Sequence, residues 1–541
     1  MSSSNNYPKF LGMNGKALEW TVTMILTFGF VLVGYDQGVM SGVIIAPLWL
    51  SEFPRVNHNA TLLGFTVAIY DIGTMLGAVS MIFLGDRLGR KRSCLLGGAG
   101  VIIGVVIQVT AMPSSSIDGR FAQFLIGRTI TGWGNGINMA SMPVWQSEIS
   151  HASRGMLVCL STGLIATGTM FSYWLNYGIQ NYTTSITWRF PIAFQIVLCL
   201  VYFIGTFFLP ESPRWLCKMD RIEAATKSMA AINKEPIDGP KTKEDIRGIL
   251  DSIAIEQSSD AGFFGIGDMF TGGPSQHWRR VLIGVSSQFF QQITGCNAVI
   301  YYSPILFLNT LKTSPHFSQL IGGVDMIVYA IFALLSFWTV ESVGRRKVFL
   351  IGTAGQMISM IITFACIIPG TASAAEGAAF GLFLYIAFFG PSYLTVPWLY
   401  AAEINPIRIR AKGSAAANIV NWSINFLVVM VTPIMVQNIG WGTYLFFAAV
   451  NAAALPFIYF FYPETSHRSL EEIDFIFAKG YYENISYVKA AKEMPRLTND
   501  DMEALAEEYG LADAKVIKDN IRSAESGKEI DTGVETYENK V

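Results

Sequence analysis

Between residues 19 and 462 the chain is a succession of apolar runs, most of them about twenty residues long, separated by short loops that hold most of the charge. Only 14% of its 541 residues are charged and 51% are hydrophobic, and the mean hydropathy is +0.40. A water-soluble domain carries about a quarter charged residues. A helix crosses the hydrocarbon of a bilayer with roughly 20 apolar residues, and there each peptide group must find its partner inside the protein. The expectation is an all-α membrane protein with twelve transmembrane helices, near 19–45, 62–84, 93–112, 121–146, 156–178, 188–209, 280–308, 319–340, 348–369, 378–400, 414–436 and 442–462.

The twelve fall into two sixes. Asp86, Gly89 and the cluster Arg90-Lys91-Arg92 return 255 residues later as Glu341, Gly344 and Arg345-Arg346-Lys347. The same offset carries Glu148 onto Glu403, and Pro210-Glu211-Ser212 recurs as Pro463-Glu464-Thr465. Three signatures repeated in order mark a duplicated unit. The expected organisation is a short N-terminal segment (1–18), a six-helix bundle (19–210), a charged helical linker (211–279), a second six-helix bundle (280–462) and a tail (463–541). Within the linker, short amphipathic helices are expected around 222–232 and 245–255; the tail should be largely disordered after about 480. The basic loops, with Arg87 to Arg92, Arg154, Arg345 to Lys347, Arg408, Arg410 and Lys412, alternate with loops holding little beyond Arg55, Arg120 and Lys312. Basic loops stay in the cytoplasm, which puts both termini and the linker there.

The first 18 residues lack the pattern of a cleaved secretory signal. The six cysteines fall in spans or cytoplasmic segments and suggest no disulfide framework. Asn59 and Asn181 begin glycosylation triplets in expected outer loops. A net charge of −2 carries no sign of nucleic-acid binding.

Polar groups in hydrocarbon are costly unless paired or facing water, so those inside spans are the functional candidates. Span 7 carries Gln288, Gln291, Gln292 and Asn297, followed by Tyr301 and Tyr302. Gln288 and Gln292 share a helix face, and Gly295 is the expected point of unwinding. Each amide both donates and accepts, as a hydroxyl does, which suits a neutral polyhydroxylated solute; the alternative is amides that merely join helices. Asn421 and Asn425 repeat the theme in span 11, and Trp398 in span 10, where Pro391 and Pro397 should break the helix. Asp36 in span 1 and Arg128 in span 4 are natural partners: either a permanent structural ion pair or a carboxylate that carries a proton. Asp71 and Asp325 are further intramembrane acids, the latter one turn from Tyr329. On the cytoplasmic side, Arg90, Arg154, Arg345, Arg408 and Arg410 either serve as topology signals alone or pair with Asp86, Glu148, Glu211, Glu341, Glu403 and Glu464 as a gate.

These motifs resemble the sugar porter family of the major facilitator superfamily over roughly residues 20–480. The carriers are Gly85 to Arg92, Gly127-Arg128, Pro210 to Arg214, Gln291-Gln292 with Asn297 and Tyr301-Tyr302, Gly344-Arg345-Arg346, Pro397-Trp398, Asn421-Trp422 and Pro463-Glu464-Thr465. The resemblance implies two six-helix bundles, a mid-membrane site and alternating access. Within the family, Gly34 to Gly38, Pro143 to Glu148, Phe289 to Asn297, Tyr444 to Phe447 and Ser469 to Asp474 are similar to the yeast glycerol/proton symporters. Thr162, Tyr329 and Gly390 stand where hexose facilitators have glutamine, asparagine and glutamate. Two sugar-hydroxyl contacts are thereby shortened or removed, and Tyr329 would fill space. The resemblance assigns proton coupling to Asp36 and Arg128; yeast hexose facilitators also carry an acid there.

The expected function is proton-coupled uptake of glycerol across the plasma membrane, without cofactor, metal or enzymatic chemistry. Gln288, Gln291, Gln292, Asn297, Tyr302, Trp398, Asn421, Thr162 and Tyr329 would meet the solute. The alternatives are a hexose or pentose porter and, in another class, a non-transporting nutrient sensor. Lys218, Lys227 and the tail lysines are candidate ubiquitination sites, as any exposed lysine is.

Overall fold

The computed structural model describes residues 7–57, 59–111, 116–150, 154–259, 265–311, 313–497 and 499–509. Among them the chain is helical throughout, with no β-strand. The first half comprises α1 (Lys16–Val43), the short α2 (Pro47–Glu52), α3 (Ala60–Leu88), α4 (Arg90–Val109), α5 (Ile117–Ile149), α6 (Arg154–Ile179) and α7 (Ile186–Phe208). Three small helices follow, α8 (Pro213–Lys218), α9 (Ile222–Asn233) and α10 (Pro240–Ser259), then a 3-10 turn at Gly265–Phe270. The second half comprises α11 (His277–Ile293), α12 (Cys296–Leu311), α13 (Pro315–Val343), α14 (Arg345–Ile367), α15 (Ala372–Phe389), α16 (Val396–Ile404), α17 (Ile407–Ile439) and α18 (Gly442–Phe461). The chain closes with α19 (Leu470–Tyr482), α20 (Tyr487–Glu493) and α21 (Asn499–Glu508).

Nine of the described helices are long and apolar enough to cross a bilayer on those grounds alone. The other three crossings are α5, the pair α11–α12 and the pair α15–α16. In α5 the polar residues, Arg128 among them, lower the hydropathy; the other two crossings are each broken into helices too short to span alone, one carrying the glutamine cluster and the other Trp398. The twelve crossings form two six-helix bundles, the major facilitator fold. The bundles meet where α3 packs on α17, α6 on α13 and α1 on α12.

Both broken crossings are repaired by side chains. At Gly295 the backbone turns left-handed, φ +102°, and a Cβ there would lie 2.7 Å from the Phe447 ring. The Thr294 carbonyl released by the break accepts from Tyr385 Oη at 3.1 Å and Asn451 Nδ2 at 3.2 Å. Between α15 and α16 the carbonyls of Tyr393 and Leu394 accept from Gln291 Nε2 at 2.6 and 3.3 Å. Irregular backbone survives at membrane depth only where it is satisfied in this way.

The duplicated signatures form the same joint twice. Gly89 (φ +83°) ends α3 and opens α4; Gly344 (φ +92°) ends α13 and opens α14. Glu211 accepts from the backbone N–H groups of Arg90, Lys91 and Ser212, and Glu464 from those of Arg345, Arg346, Thr465 and Ser466, all between 2.8 and 3.2 Å. A carboxylate at a helix N-terminus meets both unpaired N–H groups and the positive end of the dipole. Glu211 and Glu464 therefore differ from the expected arginine-paired gate residues: they are helix caps. Burial pushes the Glu211 carboxyl above the usual range, while the N–H bonds from Ser212, Lys91 and Arg90 pull it back. A Cβ on Gly344 would sit 2.7 Å from Glu464 Oε2. Gly344→Ala should therefore cost about 1–3 kcal/mol, read as a lower melting temperature of the purified protein.

The tail differs from expectation. Residues 480–497 and 499–509 fold: Phe475 and Ile476 of α19 share an apolar core with Ala490, Met494 and Met502. Arg468 fastens that cluster by donating to the carbonyls of Ala491, Met494 and Pro495. The tail beyond residue 509 lies outside the described residues.

Candidate functional site

The first polar centre lies inside the N-terminal bundle. Arg128 Nη1 donates to Asp36 Oδ1 at 2.9 Å, and both side chains are fully buried. Asn135 Nδ2 donates to the other carboxylate oxygen at 3.0 Å and contacts Tyr70 Oη at 3.0 Å. The Arg128 guanidinium lies 4.9 Å from the Tyr70 ring centre. Burying two charges is repaid only when their remaining hydrogen-bonding capacity is also met, and Asn135 and Tyr70 contribute to that. Neither was singled out from sequence. A signal was present for Asn135: it lies seven residues after Arg128 on α5, two turns along the same face.

The second centre is a chain of amides. Asn421 Nδ2 donates to Gln288 Oε1 at 2.6 Å and to Gln291 Oε1 at 2.7 Å, and its own oxygen accepts from Gln292 Nε2 at 3.1 Å. Asn297 Nδ2 reaches Gln292 Oε1 at 2.8 Å and Asn425 Oδ1 at 2.6 Å. Asn425 Nδ2 in turn donates to Asp71 Oδ1 at 3.0 Å. Asp71 lies on α3 of the first bundle and Asn425 on α17 of the second, so the chain crosses between the halves. All seven residues are at least nine-tenths buried. Asp71 Oδ2 and Tyr301 Oη are buried with no hydrogen-bond partner among the described residues.

The remaining candidates divide. Thr162 Oγ1 of the first half meets Thr395 Oγ1 of the second at 2.7 Å, and Thr395 donates to Ser336 at 3.2 Å. Thr395, between the two prolines of the broken crossing, was not anticipated. Tyr302 is buried and donates to the Val429 carbonyl at 2.9 Å. Tyr329 is buried, its ring 6.1 Å from that of Phe389. The half-buried Trp398 makes no hydrogen bond among the described residues. Asp325 accepts from Ser303 at 3.3 Å and has no bond to the amide chain.

At the basic face, Arg90 makes two bonds to Glu148, at 2.8 and 2.9 Å, inside the first bundle. Arg345 does the same work inside the second, with Glu403 at 3.1 Å and Glu341 at 3.3 Å. Asp86 pairs with Lys218 at 2.9 Å and lies 3.9 Å from Arg90. Arg408 holds Asp268 of the linker at 3.0 Å, and Arg410 donates to the Asn405 carbonyl at 3.2 Å. The side chain of Arg154 lies outside the described residues. These ion pairs tie helix ends within a half, or to the linker. Glu148→Gln should weaken the first bundle by about 1.5–3 kcal/mol, the range for hydrogen bonds to charged groups, measurable as a drop in thermal stability.

Comparison with known proteins agrees with this architecture. The sugar (and other) transporter family profile matches residues 22–477. The chain is 41% identical to sugar transporter STL1 of Saccharomyces cerevisiae over 517 residues, covering 94% of this chain and 90% of that protein. It is 39% identical to the major facilitator superfamily transporter mfsA of Aspergillus fumigatus, covering 92% and 93%. Among solved structures, the proton:xylose symporter XylE bound to 6-bromo-6-deoxy-D-glucose superposes with a TM-score of 0.71 at 26% identity, covering 85% of this chain and 99% of that one. A partially occluded, inward-open form of XylE from E. coli gives the same TM-score at 24% identity.

Proposed function

The chain belongs to the sugar transporter family of the major facilitator superfamily, a family of membrane transporters and not of enzymes, and from that premise we propose that it takes up glycerol together with a proton across the plasma membrane. The basic face is then cytoplasmic, with both termini. The observation that carries the reading is the arrangement of two buried centres: an ion pair, Asp36 with Arg128, and an amide chain that reaches from Gln288 to Asp71.

The chemistry follows from the partners. A proton arriving at Asp36 neutralises the carboxylate and weakens its hold on Arg128. With the outer side open, the amides exchange their bonds to each other for bonds to solute hydroxyls, which donate and accept in the same way. Three hydroxyls on a three-carbon solute can replace three amide–amide bonds, whereas a hexose must also fill the places where Thr162, Tyr329 and Gly390 stand. Thr162 with Thr395 closes one seam between the halves, and Asp71 with Asn425 another. Both seams must part as the bundles rock, while Arg90–Glu148 and Arg345–Glu403 keep each half rigid.

A second reading, a proton-coupled pentose or hexose porter, is favoured by the fold neighbour named a proton:xylose symporter and by the retention of Gln291, Gln292, Asn297 and Trp398. Uptake of labelled glycerol, xylose and glucose in cells lacking their own carriers separates the two. Glycerol uptake sensitive to a protonophore supports the proposal; uptake of sugar without glycerol removes it.

A further inference from the structure

Where the second copy of the duplicated joint meets the tail, the start of α14, the turn after Glu464 and α20 enclose a cleft of about 300 Å³. Five cationic side chains line it, Arg346, Lys347, Arg468, Lys492 and Arg496, with the His467 imidazole beside them. Glu464, the one acid among the lining residues, has its oxygens taken by backbone N–H groups. Arg468 is committed to the tail carbonyls. Lys347, His467, Lys492 and Arg496 are exposed and have no ion-pair partner among the described residues. Arg346 donates to the Tyr459 carbonyl at 2.7 Å, while its Nε is buried with no partner among them.

The first copy of the joint is covered by a helix. There Lys91 Nζ caps the Leu209 carbonyl at 2.9 Å, Lys218 pairs with Asp86, and the Trp215 indole donates to the Asp86 carbonyl at 2.8 Å. In that half α8 covers the joint; in the second half a concave, positively charged space remains in its place. It also lies at the membrane boundary: α14 enters the apolar region directly after Lys347, and Tyr459, beneath the Arg346 guanidinium at 5.1 Å, is more than half exposed on the end of α18.

We propose that this cleft binds an anion bearing phosphomonoester groups. Converging lysine and arginine donors suit phosphate oxygens, and a cluster of cations at the inner membrane surface suits a phosphorylated headgroup. The same chemistry is offered by a phosphoinositide of the bilayer and by a free phosphorylated polyol. Bound there, the anion would join α14 to the tail.

The test uses the purified full-length protein and two probes, phosphatidylinositol bisphosphate in phosphatidylcholine nanodiscs and soluble inositol trisphosphate. The triple variant Lys347→Gln, Lys492→Gln, Arg496→Gln is compared with Lys227→Gln, Lys241→Gln, Lys243→Gln, which removes equal charge from the linker. At about fivefold per cation, the cleft variant should bind on the order of 100-fold more weakly, and the linker variant as the parent does. Should the triple variant fail to fold, the exposed Lys492→Gln alone should still weaken binding about fivefold. Tighter binding to the doped nanodisc assigns the lipid; equal binding of the soluble probe assigns a free phosphate ester. Absence of binding by both probes, or equal losses in the two triple variants, overturns the proposal.

Discussion

Asp36→Asn is expected to abolish accumulation of solute against its gradient while leaving exchange across the membrane. The substitution is isosteric and the bundle can absorb it. Arg128 keeps an oxygen to donate to, and Asn135, whose Oδ1 has no partner among the described residues, can turn to accept from the new amide. What is lost is the group that takes a proton. An electrical driving force of 100 mV is worth about 2.3 kcal/mol per charge, equivalent to roughly a 50-fold accumulation. In the variant the steady-state ratio of inside to outside solute should fall to one, measured with labelled glycerol in energised cells. A variant that still concentrates solute several-fold would take Asp36 out of the coupling step.

The second large effect is expected at Asn421, the hub of the amide chain. It serves Gln288, Gln291 and Gln292 at once. In Asn421→Ala, three buried amides each lose a partner, at about 1–3 kcal/mol for each group left unsatisfied. The same loss applies to any solute that Asn421 contacts, so the apparent KM for glycerol should rise by about 10- to 100-fold. Some of the cost will appear as lower stability, and Asn451→Ala separates the two. Asn451 is equally buried and bonds the Thr294 carbonyl, but has no bond to the amide chain. That variant should lose stability with KM unchanged. Equal KM shifts in the two would mean that Asn421 acts through packing alone.

Much of this architecture was readable from residue order because hydrocarbon imposes so narrow a choice. Apolar run length placed the crossings to within a few residues, and Gly295 and the Pro391–Pro397 pair marked the two breaks. The Asp36–Arg128 contact was readable because a buried charge demands a counter-charge. For two acids, side-chain chemistry alone pointed to the wrong partners. Glu211 and Glu464 were set against arginines, yet their partners are backbone N–H groups, which every residue carries. Thr395 and Tyr70 are ordinary residue types whose role comes from neighbours distant in sequence. The folding of the described tail after residue 480 rests on Met494 and Met502, too sparse to mark a core until Phe475 and Ile476 are placed beside them.

The central claim is that solute and proton cross together. The direct measurement is made in proteoliposomes with a pH-sensitive dye inside and no other driving force. Adding glycerol outside should acidify the lumen at a rate that saturates with glycerol. The signal should vanish in Asp36→Asn and be absent with xylose. Glycerol entry with no movement of protons would contradict the account.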